Sequence, residues 1–277
     1  MNTYVPPVEQ TSGERWEWTR ERYGNGIFSH RISSERRRLG LLESVLDGPT
    51  RARVTALGLK PGDEVLEVGG GGGSVARWLA EQGARVTVTD LDTTFLEELT
   101  DLGVRVLRHD LYTEDFPPGS FDLIHARYVV LHLPDPDKAV ARLAAWLRPG
   151  GVLLLEEPAS FPVMDSPHPA YRTIMRAFRI HLERSVGSDT AWARTLPLPL
   201  EKAGLTGVGL DARIQTVHGG DDEAQWWRLN LEQSREAMVA AGLASDTEFE
   251  AAYRELASPD FHDLSLAVLT AWGRRAG

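Results

Sequence analysis

The chain has 277 residues, 42% hydrophobic and 25% charged, with no cysteine and a formal net charge of −10. That length buries a full core in one large domain or two small ones. The lack of cysteine excludes a disulfide framework, a thiolate metal site and a cysteine nucleophile. With 30 Lys and Arg against 40 Asp and Glu, a phosphate-backbone binder is disfavoured, so no nucleic-acid partner is expected.

The N-terminus, MNTYVPPVEQTSGE, has no basic start followed by an apolar run, and therefore none of the marks of a secretory leader. Apolar runs such as Val152–Leu155 are far too short for a bilayer. The expectation is a cytoplasmic protein without membrane contact. Residues 1–60 read as mostly helical, carrying Trp16, Trp18, Tyr23 and Phe28, with Leu39, Leu42 and Leu46 on one side of a helix.

From about residue 64, short β-branched runs alternate with helical stretches, the pattern of a parallel α/β sheet. Glu64–Val68 is a first strand, followed by a run of glycines and a helix over Ser74–Gln82 that places Val75, Trp78 and Leu79 on one face. Arg85–Asp90 is a second strand. Asp92 caps a helix carrying Phe95, Leu96, Leu99 and Leu102, which Gly103 ends. Val104–Asp110 and Phe121–Arg127 are further strands. A helix then starts at Asp135 or Asp137 and stops at Pro149-Gly150, before a strand over Gly151–Glu157. Beyond Pro158, Tyr171, Ile174, Met175, Phe178 and Leu182 form a helical stripe, and Asp189–Ala203 reads as another helix. Thr206–Val217 and Leu264–Trp272 read as strands. The stretch between these two strands, about 221–257, is a mostly helical insert with Trp226, Trp227 and Phe249. The division expected is a helical lid over 1–60 and a core over 61–277, with the insert as a cap over the strand C-termini, where open α/β sheets bind ligands.

Strand, glycine run and helix in succession make a nucleotide-type loop, because glycine admits close backbone approach and positive φ. Five consecutive glycines satisfy several spacings: Gly71, Gly73 and Ala76 even fit the dinucleotide pattern. The surrounding residues discriminate. Val65-Leu66-Glu67-Val68-Gly69-Gly70-Gly71-Gly72-Gly73 resembles the first motif of class I S-adenosylmethionine-dependent methyltransferases. Asp90 and Asp110 at the ends of the second and third strands fit the same family, as do Phe121-Asp122-Leu123-Ile124-His125-Ala126-Arg127 with Leu131-His132-Leu133-Pro134-Asp135, and Leu147-Arg148-Pro149-Gly150-Gly151. The motifs stand in the family's order over about residues 60–158. The fold this implies is α/β: a Rossmann-like, seven-stranded, mostly parallel sheet in three α/β/α layers, with a helical cap.

The resemblance also implies roles. S-adenosylmethionine is the cofactor and S-adenosylhomocysteine the product. Glu67, Gly69, Gly71 and Gly73 belong to the cofactor loop, with Glu67 orienting the methionine part. Asp90 takes the ribose hydroxyls with Leu91 beside it, Asp110 takes the adenine amino group, and Leu111 packs on the ring. Ala126 and Arg127 complete the cofactor side from the fourth strand. Arg36 or Arg38, on the N-terminal helix, is placed to pair with the cofactor carboxylate. His132 is read as packing and hydrogen bonding below the site. His30 and His181 are the candidate catalytic bases, ahead of His125 and His168. No metal is expected, since Glu156 and Glu157 are neighbours on a strand and face opposite sides.

The methyl acceptor is expected to be a small molecule, and O-methylation in natural-product biosynthesis the reaction. N- or C-methylation, a non-methylating reaction such as cyclisation, and a NAD-type oxidoreductase on the same sheet stay open at this stage, as does a homodimer.

Overall fold

The computed structural model describes residues 26–277. Trp16, Trp18 and Tyr23 of the expected lid lie outside the described residues.

The described chain enters through turns into helix α1 (Glu35–Ala56). Strand β1 (Glu64–Val68), helix α2 (Ser74–Glu81) and strand β2 (Arg85–Asp90) follow. After them come β3 (Arg105–Arg108), β4 (Phe121–Arg127), α3 (Pro136–Trp146) and β5 (Leu147–Ala159). The C-terminal part contributes α4 (Phe161–Met164), α5 (Pro169–Ser185), α6 (Leu198–Lys202) and β6 (Leu205–His218). Helices α7 (Asp222–Ala240) and α8 (Asp246–Ala257) precede the last strand, β7 (His262–Arg275).

All seven strands join one sheet in the order β3-β2-β1-β4-β5-β7-β6. Strands β1 to β5 are parallel, while β7 runs antiparallel between β5 and β6. Central strands covered on both faces read as continuous apolar runs. In β1 the alternation divides the core: Val65 packs with Val88, Leu123 and Leu154 on one face, and Leu66 with Ile124 and Leu153 on the other. Those two layers, with α2 on one side and α3 on the other, make the three-layer sandwich. A third apolar cluster joins α5, α7 and α8 through Tyr171, Trp227 and Phe249. Strand order reverses between β1 and β4, so a crevice forms beyond their carboxyl ends.

Several expected boundaries are corrected. The segment after Asp92 is not an α-helix. Asp92 holds the Thr94 N–H and hydroxyl in a turn, and only a 3₁₀ stretch, Glu97–Leu102, follows. Leu96 and Leu99 are buried while Leu102 is exposed, so the short connection anchors two leucines and needs no longer helix. The expected helix over Asp189–Ala203 is a 3₁₀ turn (Trp192–Thr195) and the brief α6, since Pro197 and Pro199 lack the donors a continuous helix requires. Strand β5 begins at Leu147, with the register shifting between Phe121 and Leu123, so Pro149-Gly150 is a bulge within the strand. The expected insert is the pair α7 and α8; Ser245 and Glu248 form a reciprocal cap at the start of α8. Among the described residues no helix is long and apolar enough to cross a membrane.

Candidate functional site

A cavity of about 200 Å³, partly open to solvent, lies over the carboxyl ends of β1, β2 and β4 and under the helical layer. Its sheet side is built by backbone turns that the sequence dictates. Gly69 leaves β1 at φ +67° and Gly71 continues at φ +53°, both lining the cavity. A Cβ at Gly69 would run into Val129 Cγ2, so this position has no room for a side chain. Gly73, at φ +88°, starts α2 and packs against Leu96 and Leu99 away from the cavity.

Asp90 ends β2 with its carboxylate in the loop: Oδ2 accepts the Gly71 N–H at 3.0 Å and Oδ1 the Asp92 N–H at 3.1 Å. Burial raises its pKa against these hydrogen bonds. Asp110 is buried and lines the same cavity, its oxygens accepting the Tyr112 N–H and the Thr113 hydroxyl, each at 2.8 Å. Leu91 and Leu111 line the cavity beside them. Two carboxylates flanked by leucines around a bare glycine turn suit a ligand with hydroxyl and amino donors on a flat apolar ring.

Other expected residues are placed differently. Ala126 lies in the core and does not line the cavity. Glu67 is buried, and its Oε2 lies 2.7 Å from His125 Nδ1; it does not line the cavity either. His125 Nε2 lies 3.1 Å from Glu156 Oε2, which also accepts the Thr50 hydroxyl from α1. Burial opposes a charge on His125, but the flanking carboxylates outweigh it and raise its pKa to about 9. Arg127 lines the cavity while its guanidinium binds Asp47 and Thr50 of α1, both at 3.0 Å. Strand β4 is thus tied to α1 by charge. Arg38 lines the cavity and is held by Glu35 through hydrogen bonds of 2.6 and 2.8 Å, with its guanidinium 5.0 Å from the Phe28 ring centroid. Arg36 is exposed, paired with Glu98, and off the cavity.

The histidines separate in the same way. His30 lines the cavity, stacked on Phe95 with centroids 4.2 Å apart and Nδ1 3.6 Å from Asp92 Oδ1, at the Asp90 end. His181 is buried on α5 and does not line the cavity. Its residue spacing put it on the same helix as Phe178 and Leu182, which do line it; only the packed helix shows which side faces in. His132 lines the cavity with Nδ1 2.7 Å from Ser188 Oγ, and burial together with the Arg38 cation lowers its pKa to about 3.

Three features escaped the sequence reading. Tyr128 follows β4 at φ +58°, a rare conformation for a bulky residue, and lines the cavity. Its turn is held by Glu157, whose carboxylate accepts the N–H groups of Val129, Val130 and Leu131; burial raises the Glu157 pKa to about 8. Asn230 of α7 reaches the cavity and accepts from Arg38 at 3.4 Å. No local motif marks any of these. Glu156 and Glu157 do face opposite sides, towards Thr50 and towards the Val129–Leu131 turn, and among the described residues no cluster of three or more His, Asp or Glu is arranged to hold a metal.

The family model described as "Methyltransferase domain" matches residues 42–210. A ubiquinone biosynthesis O-methyltransferase of Xanthomonas campestris is 37% identical over 157 residues, covering 51% of this chain and 64% of that protein. Phosphoethanolamine N-methyltransferase 3 of Arabidopsis thaliana is 28% identical over 151 residues, covering 50% of this chain and 30% of that one. These matches thus span between about a third and two thirds of the relatives' length. Among solved structures, Haemonchus contortus phosphoethanolamine N-methyltransferase 2, in complex with phosphomonomethylethanolamine and S-adenosylhomocysteine, shares the fold: TM-score 0.54, 20% identity, 93% of this chain and 57% of that one covered.

Proposed function

The chain belongs to the methyltransferase-domain family, and from that premise we propose that it transfers a methyl group from S-adenosylmethionine to a small-molecule acceptor, by O-methylation in natural-product biosynthesis. The observation that carries this reading is the meeting of Asp90, Asp110 and the bare glycine turn in one cavity with an aromatic helical roof.

The donor set fits the cofactor. Asp90 would accept from the ribose hydroxyls and Asp110 from the adenine amino group, in charge-assisted bonds, and Leu91 and Leu111 would flank the ring. Gly69 and Gly71 leave room for the backbone to approach. Bound there, S-adenosylmethionine would supply an electrophilic methyl group to an acceptor oxygen, with S-adenosylhomocysteine as the leaving group and the hydroxyl proton passing to solvent. The protein's part is alignment and exclusion of water, and orientation of that kind lowers a barrier by about 7–11 kcal/mol. Tyr128, in the turn after β4 that Glu157 holds, adds an aromatic ring to the cavity lining.

The cap reading is part of the same proposal: the described part of the expected lid, residues 26–60, and the insert at 221–257 close the acceptor side. It is supported by Phe28, Trp226 and Trp227, which line the cavity. Incubation with S-adenosylmethionine and candidate hydroxylated acceptors tests the function. A 14-dalton gain on an acceptor oxygen supports it, whereas methylation only at nitrogen or carbon removes the O-methylation. Thermal shift with S-adenosylhomocysteine but not NAD is the companion result, and the reverse pattern would overturn the cofactor.

A further inference from the structure

The helical roof of the cavity has a chemistry distinct from its sheet side. Phe28, Tyr128, Phe178, Trp226 and Trp227 supply aromatic surface. The Trp226 and Trp227 rings lie 4.6 Å apart at 59°, forming a corner of two aromatic walls. Flat apolar rings pack favourably against such walls, offset or edge on.

The arginines lining the cavity already have carboxylate partners. Arg38 is paired with Glu35 at 2.6 Å, the two side chains only 6% and 1% exposed. Arg127 is paired with Asp47 at 3.0 Å. Arg179, 38% exposed, is paired with Glu183 at 2.6 Å, although its Nε has no hydrogen-bond partner among the described residues. An anionic group on the acceptor would compete with those carboxylates, and separating a buried pair leaves a charge uncompensated.

The two tryptophan N–H groups differ. Trp227 Nε1 donates to Ser265 Oγ at 2.8 Å, and Ser265 in turn donates to the buried Glu223, so this ring is fixed. Trp226 Nε1 is buried and has no hydrogen-bond partner among the described residues. A buried donor left unpaired bears its full desolvation cost, which an acceptor oxygen would relieve.

Resting on the methyl-transfer reading above, we infer that the methyl acceptor is an uncharged aromatic molecule, its rings against Trp226, Trp227 and Phe178 and a carbonyl-type oxygen taking the Trp226 N–H. Phosphorylated or otherwise anionic acceptors are disfavoured, because Arg38 and Arg127 are already held by carboxylates.

The test is calorimetry on the full chain. Wild-type protein is first titrated with S-adenosylhomocysteine; absence of binding there counts against the methyl-transfer reading itself. The acceptor titrations are run both with and without S-adenosylhomocysteine, so the acceptor class is read in either case. The probes are 1-hydroxy-2-acetonaphthone, 1-naphthol, 1-naphthyl phosphate and phosphoethanolamine. The neutral ketone should bind at least about tenfold more tightly than the naphthyl phosphate, and phosphoethanolamine should give no binding at about 1 mM. Trp226→Phe should weaken the ketone about tenfold more than it weakens 1-naphthol, the scale of one hydrogen bond, and leave S-adenosylhomocysteine unchanged. Equal or tighter binding of either phosphate compound would overturn the inference, as would no binding of the ketone or a ketone affinity indifferent to Trp226→Phe. The wild-type selectivity decides the matter even if the variant fails to fold.

Discussion

His125 Nδ1 lies 2.7 Å from Glu67 Oε2, with both side chains buried at the end of the strand that leads into the glycine turn. Glu67 is therefore held by the neighbouring strand β4. Through Glu156 the same imidazole also reaches Thr50 of α1. The network links the cofactor strand, the fourth strand and the helix over the glycine turn, and its charge has consequences for stability.

Stability should fall as pH rises from about 5 towards 9. His125 is raised from 6.5 to about 9 by Glu67 and Glu156 against its burial, so its contribution is full below pH 6.5 and lost through about 9. Glu157, raised by burial from 4.5 to about 8, has the same sign: its contribution is full below 4.5 and is lost as pH rises through 8. Arg127 and Asp47 stand beside the network, paired with each other at 3.0 Å. His125→Gln should cost about 3–5 kcal/mol, as expected for a broken buried charge cluster, and flatten the alkaline part of the profile. Denaturant melts of both proteins from pH 5 to 9 check this; parallel profiles would mean that His125 carries no proton in the fold.

Asp90→Ala should weaken S-adenosylhomocysteine binding by about 1.5–3 kcal/mol, the scale of one charged hydrogen-bonding group. Calorimetry reads it directly. Unchanged affinity would remove Asp90 from the ribose site.

Gly69→Ala should destabilise the protein more than Gly103→Ala. Both positions have positive φ, +67° and +77°, so the conformational penalty of alanine is similar. Only at Gly69 does the new Cβ meet a side chain, Val129; at Gly103 it meets open space. The difference, about 1–3 kcal/mol for an overpacked site, should be accompanied by weaker cofactor binding in Gly69→Ala alone. Equal melting shifts would show that the loop yields.

The histidine variants should divide by place. A histidine base contributes about 10²–10⁴-fold to kcat. His30 stands at the Asp90 end and His181 off the cavity. His30→Ala should therefore weaken S-adenosylhomocysteine and change kcat less than about tenfold, well below that range. His181→Ala should leave both intact. A kcat loss within the range above in either variant would restore that residue as the base.

By itself, the sequence determined the sheet, its parallel core and the glycine turn with its neighbouring carboxylates. Strand periodicity, the glycine run and acidic residues at strand ends are local signals, each set by the conformation or charge of a few consecutive residues. Asp90, Asp110, Leu91 and Leu111 come to the cavity because a strand end fixes where its last residues stand. Tertiary structure alone decided the partners of those side chains and the choice between neighbours on one helix. Arg38 faces the cavity bound to Glu35 while Arg36 faces solvent. Phe178 lines the cavity and His181 does not. Glu67 meets His125 from 58 positions away, and Trp227 has Ser265 beside its N–H while the Trp226 N–H has no partner among the described residues. Such pairings depend on how helices dock on the sheet, and docking sums many weak apolar contacts spread along the chain, which no short segment encodes.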